Sequence, residues 1–110
     1  MKISFKSNKL EKSLTVPKEI SRTYGNMAQK VNQRMKEFSA SKNLAVLKTL
    51  PGPNCHELKG SREGQLSVVI SGNWRILFEP NHTPLPLKAD GGLDWQNVTS
   101  IKILEVTDYH

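Results

Sequence analysis

Apolar residues in the first half of the chain recur at three- and four-residue steps, which is the spacing of one face of an α-helix. The longest series lies between residues 20 and 38 and comprises Ile20, Tyr24, Met27, Val31, Met35 and Phe38. Pro17 suits the first turn of this helix, and Gly25 is the expected point of a break or kink. Residues 8–14 predict a helical turn before it, and residues 44–50 predict one or two turns after it.

The second half of the chain changes to the alternating pattern of β-strands. Apolar side chains occupy every second position of two runs, which contain Leu66, Val68 and Ile70, then Trp74, Ile76 and Phe78. Only Ser71-Gly72-Asn73 separates the two runs, and so short a link predicts an antiparallel hairpin. Further strands are predicted at residues 2–5, 55–59 and 100–106.

This order of elements predicts an α+β fold, with an N-terminal strand and helices packed on one face of a small antiparallel sheet. The 110 residues fit a single domain over 1–110. Residues 80–97 are predicted to form a long loop insertion, and such loops are usually functional or mobile. Trp95 is expected to pin this loop to the body of the protein, because an exposed tryptophan is uncommon.

Nothing in the sequence indicates a membrane segment, an export signal or a cofactor. No apolar run approaches the roughly 20 residues that cross a bilayer, and no apolar segment follows Met1-Lys2-Ile3. We therefore expect a cytoplasmic protein without a membrane partner. Cys55 is the single cysteine and the three histidines lie far apart in the sequence, so neither a disulfide nor a metal site is predicted.

Positive charge is concentrated in the first half of the chain. The net charge is +6; residues 1–50 hold eleven Lys and Arg against three Asp and Glu, whereas residues 51–110 hold five against seven. A lopsided basic surface attracts polyanions, of which nucleic acid is the commonest. A solvated helical face rich in lysine, without any ligand, would give the same distribution, and charge alone does not choose between the two.

Four short segments of the chain contain side chains that suit RNA cleavage without a metal ion: His56-Glu57-Leu58-Lys59-Gly60, Arg62, Gly72-Asn73-Trp74-Arg75 and Asp108-Tyr109-His110. Cleavage needs a base for the ribose 2′-OH, cations for the phosphate and an acid for the departing 5′ oxygen. Histidine suits both proton transfers near neutral pH, Lys and Arg suit the phosphate, and a tyrosine can stack on a base.

Each of these residues also has a plainer interpretation. His56 alone is more often a structural or surface histidine, and Lys59 and Arg62 are usually solvated charges. Arg75 lies inside a strand, where it either pairs with a carboxylate or lines a groove. Residues 108–110 would normally be a frayed tail. Strand alternation also places His56 and Lys59 on opposite faces, so the strand must end or bulge near Leu58 for both to reach one site.

Taken together and in order, the motif segments resemble the HigB-like killer toxins of the RelE/ParE superfamily. The resemblance is carried by His56-Glu57-Leu58-Lys59-Gly60, then by Val68-Val69-Ile70-Ser71-Gly72-Asn73-Trp74-Arg75-Ile76, then by Asp108-Tyr109-His110. The N-terminal strand and the Lys-rich helices also match that layout, so the resemblance covers nearly the whole chain. The 80–97 loop is longer than in the shortest members.

The resemblance implies the toxin of a type II toxin–antitoxin system, an endoribonuclease that cleaves mRNA on the ribosome without a metal or cofactor. It implies catalytic positions at His56, Lys59, Arg75, Asp108, Tyr109 and His110. Contacts to RNA are expected from Arg62, Lys30 and Arg34. The implied partners are the ribosome with its mRNA and a helix-turn-helix antitoxin, with operator DNA bound only through the antitoxin complex.

Two other functions remain open from the sequence. ParE-type relatives share the fold and are described as inhibitors of DNA gyrase, which need no proton-transfer residues. A basic nucleic-acid-binding module without catalysis would need the lysines of the helices but not the segment Asp108-Tyr109-His110. Neither alternative explains why the chain contains both His56 and the segment Asp108-Tyr109-His110.

Overall fold

The computed structural model of the chain describes residues 1–109. Its four α-helices are α1 (Asn8–Thr15), α2 (Pro17–Tyr24), α3 (Ala28–Ala40) and α4 (Leu44–Lys48). Its five strands are β1 (Lys2–Phe5), β2 (His56–Glu57), β3 (Leu66–Ser71), β4 (Trp74–Pro80) and β5 (Ser100–Asp108). Short 3-10 helices cover Gly25–Met27, Gly60–Arg62 and Trp95–Asn97. None of the helices within residues 1–109 is long and apolar enough to cross a membrane.

Local sequence explains where the helices begin and end. α1 begins after Ser7, whose side chain accepts a hydrogen bond from the backbone N–H of Leu10 at 3.1 Å. Pro17 lies in the first turn of α2, where its missing N–H leaves no partner unsatisfied. Gly25 ends α2 with a φ of 53°, a conformation that favours glycine, so the predicted break of the long helical pattern is confirmed.

The strands form one sheet in the order β1-β5-β4-β3-β2, and the helices cover one of its faces. The predicted α+β fold class is confirmed. The sheet is mixed, however, because β1 pairs with β5 in parallel, while the other pairs are antiparallel. β2 has two residues, so it is shorter than the strand predicted over 55–59.

The hydrophobic core lies between the helices and this covered face of the sheet. The alternating residues of β3 and β4 are buried there as predicted, with the exception of Trp74, which is 38% exposed. The rings of Phe38 from α3 and Phe78 from β4 meet edge to face, with their centres 5.1 Å apart. α3 thereby packs on the centre of the sheet and leaves the other face free of α-helices; that face is called the helix-free face below.

β5 contains a bulge at Leu104 that reverses the orientation of the residues after it. Before the bulge, Ile103 lies opposite Phe78, and both side chains are buried in the core. After it, Glu105 lies opposite Leu77, so Leu104 is the extra residue. Residues directly opposite each other share a face, and Glu105 therefore projects from the face without helices.

The 80–97 segment has ordered structure of its own. Leu87 and Leu93 form a β-bridge. The indole N–H of Trp95 donates to a carboxylate oxygen of Glu57 at 3.2 Å, and the ammonium of Lys48 lies 4.6 Å above the centre of the indole ring. The prediction that Trp95 pins the loop to the body is confirmed.

Candidate active site on the helix-free face

A row of four side chains crosses the helix-free face of the sheet, one from each of β2 to β5. His56 lies opposite Ser67, Ser67 opposite Leu77, and Leu77 opposite Glu105. Residues in such a row point to the same side of the sheet. Three strand spacings separate the Cα atoms at its ends by roughly 14 Å, at about 4.8 Å per strand. The row therefore spans a surface wide enough for a nucleotide.

The segment 58–65, which links β2 to β3, folds over this face. The N–H of Leu58 donates to the carbonyl of Gln65 at 2.9 Å and closes the segment into a loop. Leu58 and Leu77 are both buried, although neither belongs to the core beneath the helices. Two polar atoms in this region, Gln65 Oε1 and Ser67 Oγ, are buried without a hydrogen-bond partner within residues 1–109. The contact between the segment and the sheet is therefore partly apolar, and two of its buried polar atoms lack a hydrogen-bond partner within residues 1–109.

Arg62, in the middle of the segment, extends across the sheet to β5. Its Nη1 lies 3.8 Å from Oε2 of Glu105, and its Cζ lies 5.5 Å from the centre of the Tyr109 ring. β3 and β4 separate β2 from β5, so the segment brings Arg62 over both intervening strands. Arg62, from which a contact to RNA is predicted, thus lies beside the end of β5.

Tyr109 is attached to the turn between β3 and β4. Its backbone N–H donates to the carbonyl of Asn73 at 2.8 Å. Tyr109 follows Thr107 by two positions, and Thr107 lies opposite Arg75 on the helix-free face. The ring contact with Arg62 places the tyrosine on that face as well.

Arg75 lies on the same face, one row nearer to the hairpin turn than Leu77. Its Nη1 donates to the carbonyl oxygens of Gly72 at 2.6 Å and Trp74 at 3.1 Å. Gly72 adopts a φ of 56° in this two-residue turn, which favours glycine. The guanidinium is thus oriented by main-chain oxygens of its own hairpin, and its charge is not neutralised by a carboxylate within residues 1–109.

His56 is exposed at the other end of the row. Its Nδ1 lies 3.0 Å from the carbonyl oxygen of Asn54. Since a carbonyl oxygen only accepts, Nδ1 carries the proton in this contact, and Nε2 is left as the proton acceptor. The row thus has an oriented ring nitrogen that can accept a proton, Nε2 of His56, at its β2 end. The guanidinium groups of Arg62 and Arg75 lie towards its β5 end.

The register does not place Asp108 on this face, and Lys59 joins none of the contacts described above. β2 ends at Glu57 and Gly60 turns the chain with a φ of 66°, so strand alternation no longer fixes the direction of Lys59. The Lys59 side chain is exposed, and its ammonium makes no ion pair or hydrogen bond within residues 1–109. Asp108 lies opposite Trp74, in the register of the helix-covered face. His110 lies outside the described residues, so its role remains a prediction.

The placement of Arg34 argues against its predicted contact with RNA. Arg34 is only 7% exposed, its Nε donates to the carbonyl of Val69 at 2.6 Å, and its Nη1 donates to Glu37 at 2.9 Å. Its guanidinium is used inside the protein, where it joins α3 to β3. Lys30, one turn earlier on α3, is exposed, and its contact with RNA remains a prediction.

Glu105 is the residue of this face that sequence reasoning missed. Alternation from Ile101 and Ile103 places residue 105 in the core, where a carboxylate is costly. A glutamate in that phase of the pattern was therefore the available signal that the strand contains an irregularity. The register shows how the bulge at Leu104 resolves the conflict.

No metal site or reactive thiol accompanies these residues in the described part of the chain. No three His, Cys, Asp or Glu side chains of residues 1–109 are grouped so that they could hold a metal ion. Burial raises the pKa of the Cys55 thiol to about 12, against a smaller lowering by Lys48 and a further rise from Glu57. The thiol is therefore protonated near neutral pH and is a poor nucleophile.

Comparison with solved structures finds the same fold in several bacterial toxins. A YoeB/ParE toxin from Agrobacterium tumefaciens matches with a TM-score of 0.59 and 13% identity, over 100% of both chains. A YoeB–YefM complex from Staphylococcus aureus matches at 0.54 and 17%, over 100% of this chain and 97% of that one. A mutant of YafQ from Escherichia coli matches at 0.50 and 15%, over 96% and 90%.

These likenesses show the fold of the protein, which has the same architecture as the YoeB/ParE toxin, YoeB and YafQ. The sequence matches no protein-family model, and no curated protein matches it. The resemblance stated from the motifs is confirmed in its fold. Membership in the HigB-like subgroup remains a prediction.

Proposed function

We propose that the protein is the toxin of a type II toxin–antitoxin system, of the HigB-like kind, and that it cleaves ribosome-bound mRNA on the helix-free face of its sheet. The observation that carries this proposal is the convergence of Arg62, Arg75 and Tyr109 on the face that also bears His56. RNA cleavage by 2′-OH attack requires cations and a proton acceptor, and a tyrosine ring can hold a base in place by stacking.

The proposed reaction uses His56 as the base. Its Nε2 takes the proton of the ribose 2′-OH, and the 2′ oxygen then attacks the adjacent phosphorus. The bond to the 5′ oxygen breaks, and that oxygen receives a proton from an acid, a role that we propose for His110. The products are a 2′,3′-cyclic phosphate and a free 5′-OH. Arg75 and Arg62 stabilise the charge that develops on the phosphate oxygens.

The remaining parts of the proposal concern partners and location. In the cytoplasm, the ribosome would hold the mRNA in position, which explains why a modest set of side chains suffices. Exposed lysines of the helices, among them Lys30, would contact phosphates of ribosomal RNA. A helix-turn-helix antitoxin would neutralise the toxin and bring it to operator DNA. One structure with the same fold is a YoeB–YefM complex, which supports a protein partner.

The test is to express the chain from a tightly repressed promoter and to map mRNA 5′ ends in the cell, beside a His56→Ala variant and a Glu79→Gln control. Growth arrest with new in-frame cuts in the wild type and the control, but not in His56→Ala, supports the proposal. Arrest without cuts would favour the ParE-type function, to be checked with purified DNA gyrase. Absence of arrest would leave a basic nucleic-acid-binding module.

A further inference from the structure

Arg62 is held by two contacts, one with a residue of β5 and one with the residue that follows β5. Its guanidinium lies between the carboxylate of Glu105, at 3.8 Å, and the ring of Tyr109, at 5.5 Å from Cζ to the ring centre. An arginine in a surface segment normally samples many rotamers, and each contact removes part of that freedom. Two contacts that converge on one guanidinium restrict its position.

Glu105 reaches Arg62 only because of the bulge at Leu104. In regular alternation residue 105 would point towards the helices, like Ile103. The register places two glutamates on the helix-free face, Glu105 on β5 and Glu79 on β4 opposite Lys102. Of these, Glu105 is the one that pairs with Arg62.

Stability does not explain the Arg62–Glu105 pair well. The two side chains are 32% and 46% exposed, and ion pairs so open to water contribute little to folding. For binding an anion, a carboxylate at this position is unfavourable, because it repels phosphate. The pair is consistent instead with an orienting contact, whose benefit lies in where it holds the guanidinium.

We infer that Glu105 is a positioning residue of the candidate site, which holds the guanidinium of Arg62 over Tyr109 and so prepares it for the phosphate of the substrate. The part of this inference that concerns RNA rests on the proposed function. Neutralising Glu105 makes the site more positive and should help it attract RNA, yet it should slow cleavage because Arg62 loses its position.

The first experiment measures the position of Arg62 without reference to activity. In an NMR spectrum of the full chain, the Arg62 side-chain resonances should be shifted upfield by the Tyr109 ring. We expect Glu105→Gln to abolish that shift, Glu105→Asp to keep part of it, and Glu79→Gln, the same chemical change on the same face, to leave it intact. An unchanged Arg62 signal in Glu105→Gln would overturn the inference.

The second experiment measures cleavage of mRNA on programmed ribosomes. For Glu105→Gln we expect kcat to fall by at least about tenfold, as for a misplaced catalytic group, with KM equal or lower. Glu79→Gln should match the wild type, and thermal melting should confirm that both variants are folded. A raised KM with unchanged kcat, or a wild-type kcat after the NMR shift is lost, would refute the positioning role. If the wild type itself cuts no RNA, the proposed function fails while the NMR result still stands.

Discussion

The Nε atom of Arg34 lies 2.6 Å from the carbonyl oxygen of Val69, so α3 is hydrogen-bonded directly to β3. The same guanidinium donates to Glu37, whose side chain is 18% exposed. Val69 in turn lies opposite Arg75 in the sheet. The buried arginine therefore supports, from the helix layer, the hairpin that carries a residue of the candidate site.

Replacing Arg34 should destabilise the protein substantially. Arg34→Ala leaves Glu37 without its cation and the Val69 carbonyl without its donor, so we expect the free energy of unfolding to fall by about 3 kcal/mol. Arg22→Ala is the matched control, because Arg22 also pairs with a glutamate three residues away but is 76% exposed; its loss should stay below about 1 kcal/mol. Urea denaturation followed by tryptophan fluorescence measures both, and equal losses would contradict this account.

Arg75→Ala and His110→Ala should each reduce cleavage by about 100-fold or more while the protein stays folded. The Arg75 variant should stay folded because the Arg75 side chain, within residues 1–109, donates only to carbonyls of its own turn, so its removal breaks no packing between elements. Single-turnover cleavage on programmed ribosomes, with circular dichroism to check folding, provides the measurement. Wild-type rates in both folded variants would refute these roles.

The bulge in β5 leads to opposite expectations for two single-residue changes in the same strand. Deleting Leu104 removes the extra residue and leaves Glu105 opposite Leu77, so the Arg62 contacts should survive with some loss of stability. Inserting one alanine between Val106 and Thr107 should turn Tyr109 to the other face of the sheet. The upfield shift of the Arg62 resonances should persist in the first variant and vanish in the second; the reverse outcome would show that the register is wrong.

Alkaline pH should lower the stability of the protein through one buried acid, Cys55, and one half-buried acid, Tyr24. The Cys55 thiol has its pKa raised to about 12 by burial, and burial also raises the pKa of Tyr24, partly offset by its hydrogen bond to Ser13. A raised pKa means that the folded state retains protons which the unfolded chain releases. The stabilisation is therefore complete below the ordinary thiol pKa of 9.0 and is lost as the pH rises towards about 12.

Denaturant titrations at pH 8 and at pH 10.5 check this dependence. Cys55→Ala and Tyr24→Phe should each make the loss of stability between the two pH values smaller than in the wild type. If neither variant changes the slope, other groups dominate the alkaline transition. The same burial predicts that Cys55 resists alkylation in the native protein at pH 8 and reacts after unfolding.

Trp95 should control the accessibility of the 80–97 segment. Trp95→Ala removes the hydrogen bond to Glu57 and the contact with Lys48, so trypsin should cleave after Lys88 faster than in the wild type. Leu85→Ala is the control, because Leu85 is 44% exposed and its truncation frees little buried contact. Equal cleavage rates in the two variants would show that other contacts anchor the segment.

The elements that the sequence predicts correctly are those encoded by local patterns. Helix periodicity and the break at Gly25 appear in the structure, as does the hairpin of β3 and β4. The parallel pairing of β1 with β5 was not predictable, because strand partners far apart in the chain leave no periodic signal. The strand predicted over 55–59 was shorter for a related reason, since Gly60 turns the chain and the segment that follows crosses the sheet.

The candidate site was predicted in part. Motif residues gave His56, Arg75 and Tyr109. The phase of Glu105 in the alternating pattern signals an irregularity in β5, but the position of the bulge depends on the pairing register, which the sequence does not give. The burial of Arg34 was not predictable, because a basic residue on a helix is usually solvated and the sequence does not reveal a carbonyl partner on β3.

The turn that joins β3 and β4 serves the candidate site through its peptide oxygens. The carbonyl of Gly72 fixes the Arg75 guanidinium, and the carbonyl of Asn73 fixes the backbone of Tyr109. Two residues that are 34 positions apart in the chain are thus aligned against one pair of adjacent peptide groups. Their relative placement follows the shape of that turn, so the asparagine side chain can change freely while the glycine, with its φ of 56°, cannot.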